Sequence, residues 1–333
     1  MSTDIIIKNK NKAQKTILIF GVSSFVGSNL AEFLKHDYKV IGTYNKTPVF
    51  IPGVLTIPCD VLNKDEIQLV VFAFKPDITI YSVGLSSVED CSQRETIAEA
   101  LNTNGLFNVT ESCERNKSQV CYISSSHVFD GLKKKYSEVD IPNALTDYGR
   151  TQASSEFYIQ KNSLNYIVFR TCPLYGRSFN HNKNTWFEKL EYKIAQGKKL
   201  VADNIVYTGF LDIYYLAMVM RLCFNEGYNN RLFQVSTTDI MTNFEFAKAY
   251  CETFNQTDLN IVKGRWPYPI SKFAHVDEVG EKLYFEMDNS NIESFLKIKM
   301  PTIRDSLELT FKRFKGVAKK ESKSSSSEGL KYI

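Results

Sequence analysis

The stretch Thr-Ile-Leu-Ile-Phe-Gly-Val-Ser-Ser-Phe-Val-Gly, residues 16–27, joins an apolar run to a helical pattern through a glycine-containing turn. The run Thr16–Phe20 predicts a buried strand, and Phe25–Leu34 predicts a helix. Gly21 would allow the tight turn, and Gly27 would allow close packing of the helix on the sheet. This order of elements turns backbone N–H groups and the positive helix end toward a pyrophosphate. The segment therefore predicts a nucleotide-binding βα unit, with a plain structural turn as the alternative.

Beyond this unit, short apolar runs alternate with helical patterns as far as residue 170. Such alternation, with nearly continuous apolar strands, predicts an α/β fold in which a Rossmann-type, doubly wound parallel sheet has helices on both faces. The further strands are predicted at residues 39–43, 54–58, 78–83, 119–124 and 166–170, and the further helices at residues 64–74, 95–115 and 148–160.

After Thr171 the alternation loosens, and residues 171–314 predict a smaller C-terminal α/β substrate lobe, which could also return strands or helices to the first domain. Residues 16–170 form the predicted NAD(P)-binding domain. The segment 1–15 is a predicted tail, and residues 315–333 predict a disordered, basic and serine-rich tail. In the second lobe, helices are predicted near residues 185–196, 214–225, 243–254 and 301–314, and strands near residues 199–202 and 231–235.

The composition is typical of a soluble globular protein, with 43% hydrophobic and 23% charged residues. Residues 1–15 carry a net charge of +3 and residues 312–333 one of +5, which leaves −4 on the body of the chain. A mildly acidic body with basic ends is not the clustered basic face that binds nucleic acid. We therefore expect no nucleic-acid partner.

The seven cysteines form no C-x-x-C pair, and the four histidines have no ligand spacing. These patterns predict free thiols in a reducing compartment and no metal site. No apolar run reaches the roughly 18–20 residues that span a bilayer, and the Lys- and Asn-rich N-terminus lacks the apolar core of a signal peptide. The sequence thus predicts a cytoplasmic protein without a membrane segment.

The cofactor type follows from the end of the second predicted strand, which lacks the Asp or Glu typical of NAD sites. Asn45 and Lys46 stand there instead and could bind a 2′-phosphate, so NADP(H) is favoured and NAD(H) is the alternative. Asp60 is placed to meet the adenine edge or to cap a turn. Ser24 replaces the middle glycine of the usual fingerprint, where its hydroxyl would either crowd the phosphates or hydrogen-bond them.

Two further segments point to carbonyl chemistry: Ser-Ser-Ser-His-Val-Phe-Asp-Gly at residues 124–131 and Tyr-Gly-Arg-Thr-Gln-Ala-Ser-Ser-Glu at residues 148–156. A hydroxyl at the end of a buried strand and a tyrosine on the next helix are how one large group of enzymes reduces carbonyls. Those enzymes require a lysine four residues after the tyrosine. Here that residue is Gln152, on the same helix face as Tyr148.

The chain resembles the extended short-chain dehydrogenase/reductases, and among them the dTDP-4-dehydrorhamnose reductase group, over roughly residues 16–300. This resemblance implies that Ser125 polarises a ketone, Tyr148 donates the proton, and Gln152 takes the place of the lysine that binds the ribose. The motifs that carry it are Gly21…Gly27, Cys59-Asp60-Val61, Pro76-Asp77-Ile78, Asn102-Thr103-Asn104-Gly105, Ser124–Gly131, Tyr136-Ser137-Glu138, Tyr148–Glu156, Arg170-Thr171 and Tyr175-Gly176.

The same resemblance implies the other ligand contacts. In the family, an Asp-Tyr pair follows the catalytic hydroxyl. Ser126-His127 stands in its place here, so these two residues are the candidate sugar contacts, and the contacts made by the Asp-Tyr pair do not carry over. The diphosphate of a nucleotide sugar would lie in the second lobe near Arg177, Lys183 and Trp186. The alternative for Arg177 is a solvated surface charge, and the alternative for Trp186 is a position in the core. The candidate cofactor contacts implied at this stage are Gly21, Ser24, Phe25, Val26, Gly27, Asn45, Lys46, Asp60, Val61, Val83, Gly84 and Asn102.

The activity implied is NAD(P)H-dependent reduction of a 4-keto-6-deoxy nucleotide sugar in deoxysugar precursor biosynthesis, with a homodimer compatible with the resemblance. The alternatives are a non-catalytic NADP-binding or regulatory protein on the same fold, and a nucleotide-sugar epimerase or dehydratase. A Ser24 side chain in the pyrophosphate path, or Tyr148 turned away from Ser125, would favour the non-catalytic protein. An open cleft with these two hydroxyls together would favour the enzyme.

Overall fold

The main sheet has seven parallel strands in the order β12-β7-β5-β4-β1-β2-β3. The computed structural model describes residues 14–179, 184–266, 268–276 and 279–316. The α/β fold class predicted from the sequence is confirmed. The strands of this sheet are β1 (Thr16–Phe20), β2 (Lys39–Tyr44), β3 (Leu55–Pro58), β4 (Ile78–Tyr81), β5 (Gln119–Ser125), β7 (Tyr166–Thr171) and β12 (Arg231–Val235).

Helices cover both faces of this sheet, as the near-continuous apolar strands require. One face packs against α1 and α8, the other against α2, α5 and α6, and each face has its own apolar cluster. The helices are α1 (Phe25–Leu34), α2 (Lys64–Phe74), α3 (Val88–Gln93), α4 (Glu95–Ala98), α5 (Gly105–Asn116), α6 (Asp147–Asn162), α7 (Trp186–Ala195), α8 (Ile213–Glu226), α9 (Asn243–Thr253), α10 (Ser290–Leu296) and α11 (Ile303–Arg313).

The second lobe has its own aromatic core, in which Phe187, Phe246 and Tyr250 are fully buried between α7 and α9. Short parallel strands beside this core pair as β10-β14-β6, β11-β8 and β13-β9, and β6 comes from the first part of the chain. They are β6 (Lys135–Tyr136), β8 (Leu174–Tyr175), β9 (Leu200–Asp203), β10 (Val206–Thr208), β11 (Leu211–Asp212), β13 (Ile261–Gly264) and β14 (Leu283–Met287).

The position of a ligand site follows from the strand order. From β1 the chain proceeds to β2 and β3 on one side and returns to β4, β5 and β7 on the other. In open parallel sheets this reversal leaves a crevice at the carboxyl ends of the strands, where ligands bind. The ends of β1, β4 and β5 therefore mark the candidate site.

Most elements lie where the sequence predicts them, but one predicted helix is interrupted. The pattern at residues 95–115 predicts a single helix, whereas the chain forms α4, a π-helical segment at Glu99–Asn104 and then α5. Helices α3 and α10 were not predicted from the sequence. Within the described residues no helix is long and apolar enough to cross a membrane. The predicted terminal tails fall mostly on residues 1–13 and 317–333, which lie outside the described part of the chain.

Candidate active site

The turn between β1 and α1 is shaped by two glycines. Gly21 has a φ of +85°, and a Cβ there would lie 2.8 Å from the Ser82 carbonyl oxygen. A Cβ on Gly27 would press against the Gly21 carbonyl and lie 2.7 Å from the Ser82 hydroxyl oxygen. Since neither backbone position has room for a side chain, the glycines bring α1 against the end of β4.

Ser24 is the N-cap of α1, and its Oγ accepts a hydrogen bond from the Gly27 N–H at 2.9 Å. Its side chain therefore satisfies the third N–H of the helix. The N–H groups of Phe25 and Val26 belong to the first turn, where no helical carbonyl precedes them. Ser24, Phe25 and Val26 all line a cleft. Ser24, which replaces the middle glycine, thus leaves the N–H groups of Phe25 and Val26 available to bind an anion.

The residues predicted to meet the adenosine lie beside rather than within this cleft. Asn45 and Lys46 are exposed after β2. The Asp60 carboxylate accepts the Leu62 N–H at 3.0 Å and so closes a turn, which is the alternative that the sequence left open. Val61 is buried in the core. None of these four is part of the cleft lining.

The cleft itself has a volume of about 670 Å³ and lies between the carboxyl ends of β1, β4 and β5 and the second lobe. Of the predicted site residues, it is lined by Ser24, Phe25, Val26, Val83, Gly84, Asn102, Ser125, His127, Tyr148, Gln152 and Trp186.

Ser125 and Tyr148 are neighbours in the lining of this cleft. Ser125 ends β5, and Tyr148 stands in the first turn of α6, which Thr146 caps through the Gly149 N–H. Burial raises the pKa of Tyr148 to about 12, although a hydrogen bond with the Ser125 side chain lowers it. The phenol is therefore protonated at neutral pH, poised to donate a proton and poorly suited to accept one.

Gln152 follows one turn after Tyr148 and is buried at the same wall of the cleft. Its Oε1 accepts a hydrogen bond of 2.6 Å from the hydroxyl of Tyr122. A lysine at this position would bring a positive charge that lowers the pKa of the neighbouring phenol. The glutamine supplies a neutral amide instead.

A buried ion pair joins β7 to α6, and a serine at the end of β5 bonds to the same carboxylate. Arg170 donates to both oxygens of Glu156, the shorter bond being 2.7 Å, and Ser124 donates to the same carboxylate at 2.5 Å. Arg170 and Glu156 are 3% and 0% exposed. Because Ser124 precedes Ser125, this cluster sets the position of the Ser125 hydroxyl relative to the helix that carries Tyr148.

Asn102, at the cleft wall, ties together three parts of the site. Its side chain accepts from the Leu85 N–H at 2.8 Å and donates to the Leu85 carbonyl at 3.0 Å. It also donates to the Thr151 hydroxyl on α6 at 3.0 Å. These contacts hold the loop after β4, which includes Val83 and Gly84, against the helix of Tyr148. Asn102 lies in the π-helical segment, a type of distortion that is frequent at functional sites.

His127 pairs with a residue that the sequence analysis missed, Tyr268 of the second lobe. The Tyr268 hydroxyl lies 2.5 Å from His127 Nδ1, and both side chains line the cleft. Burial lowers the pKa of His127 to about 4, so the imidazole is neutral at physiological pH. Burial raises the pKa of Tyr268. Ser126, in contrast, is fully buried and outside the cleft lining.

In the second lobe, Trp186 lines the cleft and donates its indole N–H to the Leu174 carbonyl at 3.0 Å. Arg177 does not line it. Its guanidinium is paired with Glu191 at 2.7 Å and lies 3.9 Å from the centre of the Phe314 ring. Lys183 lies outside the described residues.

The sequence analysis also missed other cleft residues of the second lobe. Lys189 and Lys193 are four apart on α7, a spacing that places them on one face and could have identified them. Trp266 lines the cleft as well, in a segment without a motif to mark it. Among the described residues no cluster of His, Cys, Asp or Glu could hold a metal ion.

Comparison with known proteins places the chain in a family. The model of the RmlD substrate binding domain matches residues 15–315. A dTDP-4-dehydrorhamnose reductase from Aggregatibacter actinomycetemcomitans is 25% identical over 240 residues, which cover 70% of this chain and 77% of that protein. Methionine adenosyltransferase 2 subunit beta from Danio rerio is 24% identical over 257 residues, covering 74% and 76%.

Among solved structures, dTDP-4-dehydrorhamnose reductase from Bacillus anthracis, crystallised with NADP, superimposes with a TM-score of 0.76. The superposition covers 90% of this chain and 99% of that one at 20% identity, so it shows a shared fold. Together with the family model, which spans nearly all the described residues, these findings establish that the chain belongs to the RmlD substrate-binding domain family.

Proposed function

We propose that this protein is an NADPH-dependent reductase of a 4-keto-6-deoxy nucleotide sugar, acting in the biosynthesis of a deoxysugar precursor. One observation carries the proposal: Tyr148 and Ser125 line the same cleft, with the Ser125 side chain near enough to affect the pKa of the Tyr148 phenol. A protonated phenol beside a second hydroxyl is the pair that a ketone needs when it becomes an alcohol. The first turn of α1, whose Phe25 and Val26 N–H groups the Ser24 cap does not take, lines the same cleft.

The residues present fit a nicotinamide dinucleotide. The N–H groups of Phe25 and Val26 would hold its pyrophosphate, since Ser24 turns its hydroxyl back onto α1. Gln152 would hydrogen-bond the nicotinamide ribose from the cleft wall. No carboxylate follows β2 to repel a 2′-phosphate, and Lys46 is exposed there, which favours NADP(H) over NAD(H). When bound in its reduced form, the dinucleotide supplies a hydride.

The protein's own groups would act on the ketone oxygen. The Ser125 hydroxyl donates a hydrogen bond to it and so stabilises the negative charge that develops there. Tyr148 then gives its phenolic proton to the same oxygen. The ion pair of Arg170 with Glu156 holds the two groups in register.

Gln152 makes this reductase slower than a lysine-containing one. A cation about 5 Å from the forming phenolate is worth roughly 3 kcal/mol at an effective dielectric constant of about 20. Its loss corresponds to a rate lower by about 10²–10³-fold. The penalty falls mainly on oxidation, in which Tyr148 must ionise before it can act, and less on reduction, which starts from the protonated phenol.

The test is NADPH oxidation, followed at 340 nm, with a 4-keto-6-deoxy nucleotide sugar. We expect slow turnover by the wild type, a rate about 10²-fold higher for Gln152→Lys, and none for Tyr148→Phe. Ser125→Ala tests the polarising hydroxyl. The absence of turnover in both the wild type and Gln152→Lys would refute the reductase.

The second candidate is a non-catalytic, NADP-binding regulatory subunit. Gln152 favours it, as does the similarity to methionine adenosyltransferase 2 subunit beta, which is named as a subunit of another enzyme. This candidate predicts NADPH binding without turnover by the wild type, and turnover restored only by Gln152→Lys would mark a protein that has abandoned catalysis. An epimerase or dehydratase has less support, because Ser126-His127 places no acid beside Ser125.

A further inference from the structure

Tyr122 lies on β5, two residues before Ser124, with its ring in the apolar cluster on the α6 side of the sheet. The side chain is 3% exposed and is not part of the cleft lining. Its hydroxyl reaches across to α6 and donates to Gln152 Oε1 at 2.6 Å. A residue outside the cleft thus holds a polar group of the cleft wall.

This hydrogen bond decides which end of the Gln152 amide faces the ligand. The carboxamide is planar, with an acceptor oxygen on one side and an NH₂ donor group on the other. Because the oxygen is taken by Tyr122, the NH₂ group is turned toward the cleft that Gln152 lines. Burial raises the pKa of Tyr122 well above its usual value, so the phenol remains a donor at every physiological pH.

We propose that Tyr122 is a positioning residue that adapts this site to glutamine at position 152, by holding the amide so that its NH₂ group donates to the ribose hydroxyls of a bound nicotinamide nucleotide. The inference rests on the proposed function in so far as the cleft must take that nucleotide. It adds a partner for Gln152 that neither the family match nor the motif sequence assigns.

The hydrogen bond from Tyr122 is not compatible with a lysine at position 152. An ammonium group has three donors and no acceptor. In a Gln152→Lys variant the Tyr122 hydroxyl would therefore lose its 2.6 Å acceptor in a buried position and keep only the neighbouring Ser155 side chain, which is costly. The two positions are coupled, and removal of the Tyr122 hydroxyl should weaken nucleotide binding beside glutamine but not beside lysine.

The experiment is a double-mutant cycle in NADPH affinity, measured on the full chain by isothermal titration calorimetry so that turnover is not required. Tyr122→Phe should raise the Kd about three- to tenfold beside Gln152, as expected for one oriented hydrogen bond. In the Gln152→Lys background the same change should leave the Kd unaltered or lower it. An equal factor in both backgrounds, or no effect beside Gln152, would overturn the role of Tyr122.

Tyr38→Phe is the matched control. Its hydroxyl donates to another amide oxygen, Asn225 Oδ1, at 2.7 Å, and the residue directly precedes β2 at the far end of the sheet from the cleft. This variant should lose the same kind of bond and keep the wild-type Kd. A Kd raised as much as in Tyr122→Phe would mean that general destabilisation explains the effect.

A second pair of variants covers the case in which Tyr122→Phe does not fold. Gln152→Met removes the amide alone, and the double variant Gln152→Met/Tyr122→Phe replaces both polar partners by apolar groups, which is nearly neutral for stability. The two should bind NADPH equally, because no amide remains to be oriented. A further threefold loss in the double variant would overturn the proposal. A wild type that binds neither NADPH nor NADH would instead refute the proposed function and the positioning role with it.

Discussion

The half-buried imidazole of His127 leads to a quantitative prediction about acid stability. Burial lowers its pKa to about 4, against about 6.5 in an unfolded chain. Between these two values the unfolded state binds a proton that the folded state does not, so stability is lost as the pH falls from 6.5 toward 4. One bound proton corresponds to about 1.36 kcal/mol per pH unit. From pH 7 to pH 5, His127 alone should therefore cost about 2 kcal/mol of unfolding free energy.

His127→Asn isolates this contribution, because the Asn side-chain oxygen can still accept from Tyr268 but does not titrate. We expect the wild type to lose about 2 kcal/mol more than the variant between pH 7 and pH 5, whatever the variant's own stability. The assay is urea unfolding at constant ionic strength, followed by far-UV circular dichroism. His36→Asn, at an exposed histidine, gives the background. Equal losses in the wild type and His127→Asn would refute the claim that the imidazole is held neutral by burial.

Three further predictions follow from the site. The raised pKa of Tyr148 should leave ketone reduction flat between pH 6 and pH 9 while oxidation of the alcohol rises about tenfold per pH unit toward pH 12, and an oxidation plateau near pH 8 would contradict it. Ser24→Ala should lower the unfolding free energy by about 1 kcal/mol through loss of the helix cap and change the NADPH Kd less than threefold, whereas a tenfold rise would mean that the hydroxyl binds the pyrophosphate. Arg170→Met should cost about 3–5 kcal/mol by stranding the Glu156 charge, as measured by urea unfolding, and a loss below about 1 kcal/mol would show that the buried pair is not ionised.

The parts of the fold that the sequence predicts well are those fixed by local chemistry. Gly21 and Gly27 mark the β1–α1 turn because the backbone there has no room for a Cβ. The apolar runs mark the inner strands because both faces of a parallel sheet are buried. The π-helical segment at Glu99–Asn104 was missed because an apolar pattern does not distinguish it from an α-helix, and its position coincides with tertiary bonds that Asn102 makes to Leu85 and Thr151.

In the candidate site, too, the residues that local motifs mark could be predicted, and those placed by tertiary contacts could not. Ser125, Tyr148 and Gln152 could be identified because they belong to ordered motifs on adjacent elements. Tyr268 could not, since 141 residues separate it from His127 and no local pattern marks it. Arg177 is suggested as a phosphate ligand by its charge alone, whereas its burial against Glu191 is a tertiary fact that the sequence does not contain.

The edge strand β12 has a consequence for how the chain reaches its native state. It pairs with β7, yet β8 to β11 separate the two in sequence, so the seven-stranded sheet is complete only once residue 235 has been synthesised. Until then β7, Tyr166–Thr171, presents an apolar edge with unsatisfied N–H and C=O groups, which is a template for misassociation. A fragment limited to residues 16–170 should consequently aggregate. The exposed edge of β7 would then be covered only after β12 has emerged from the ribosome. Until that point the growing chain could associate with other chains through this edge.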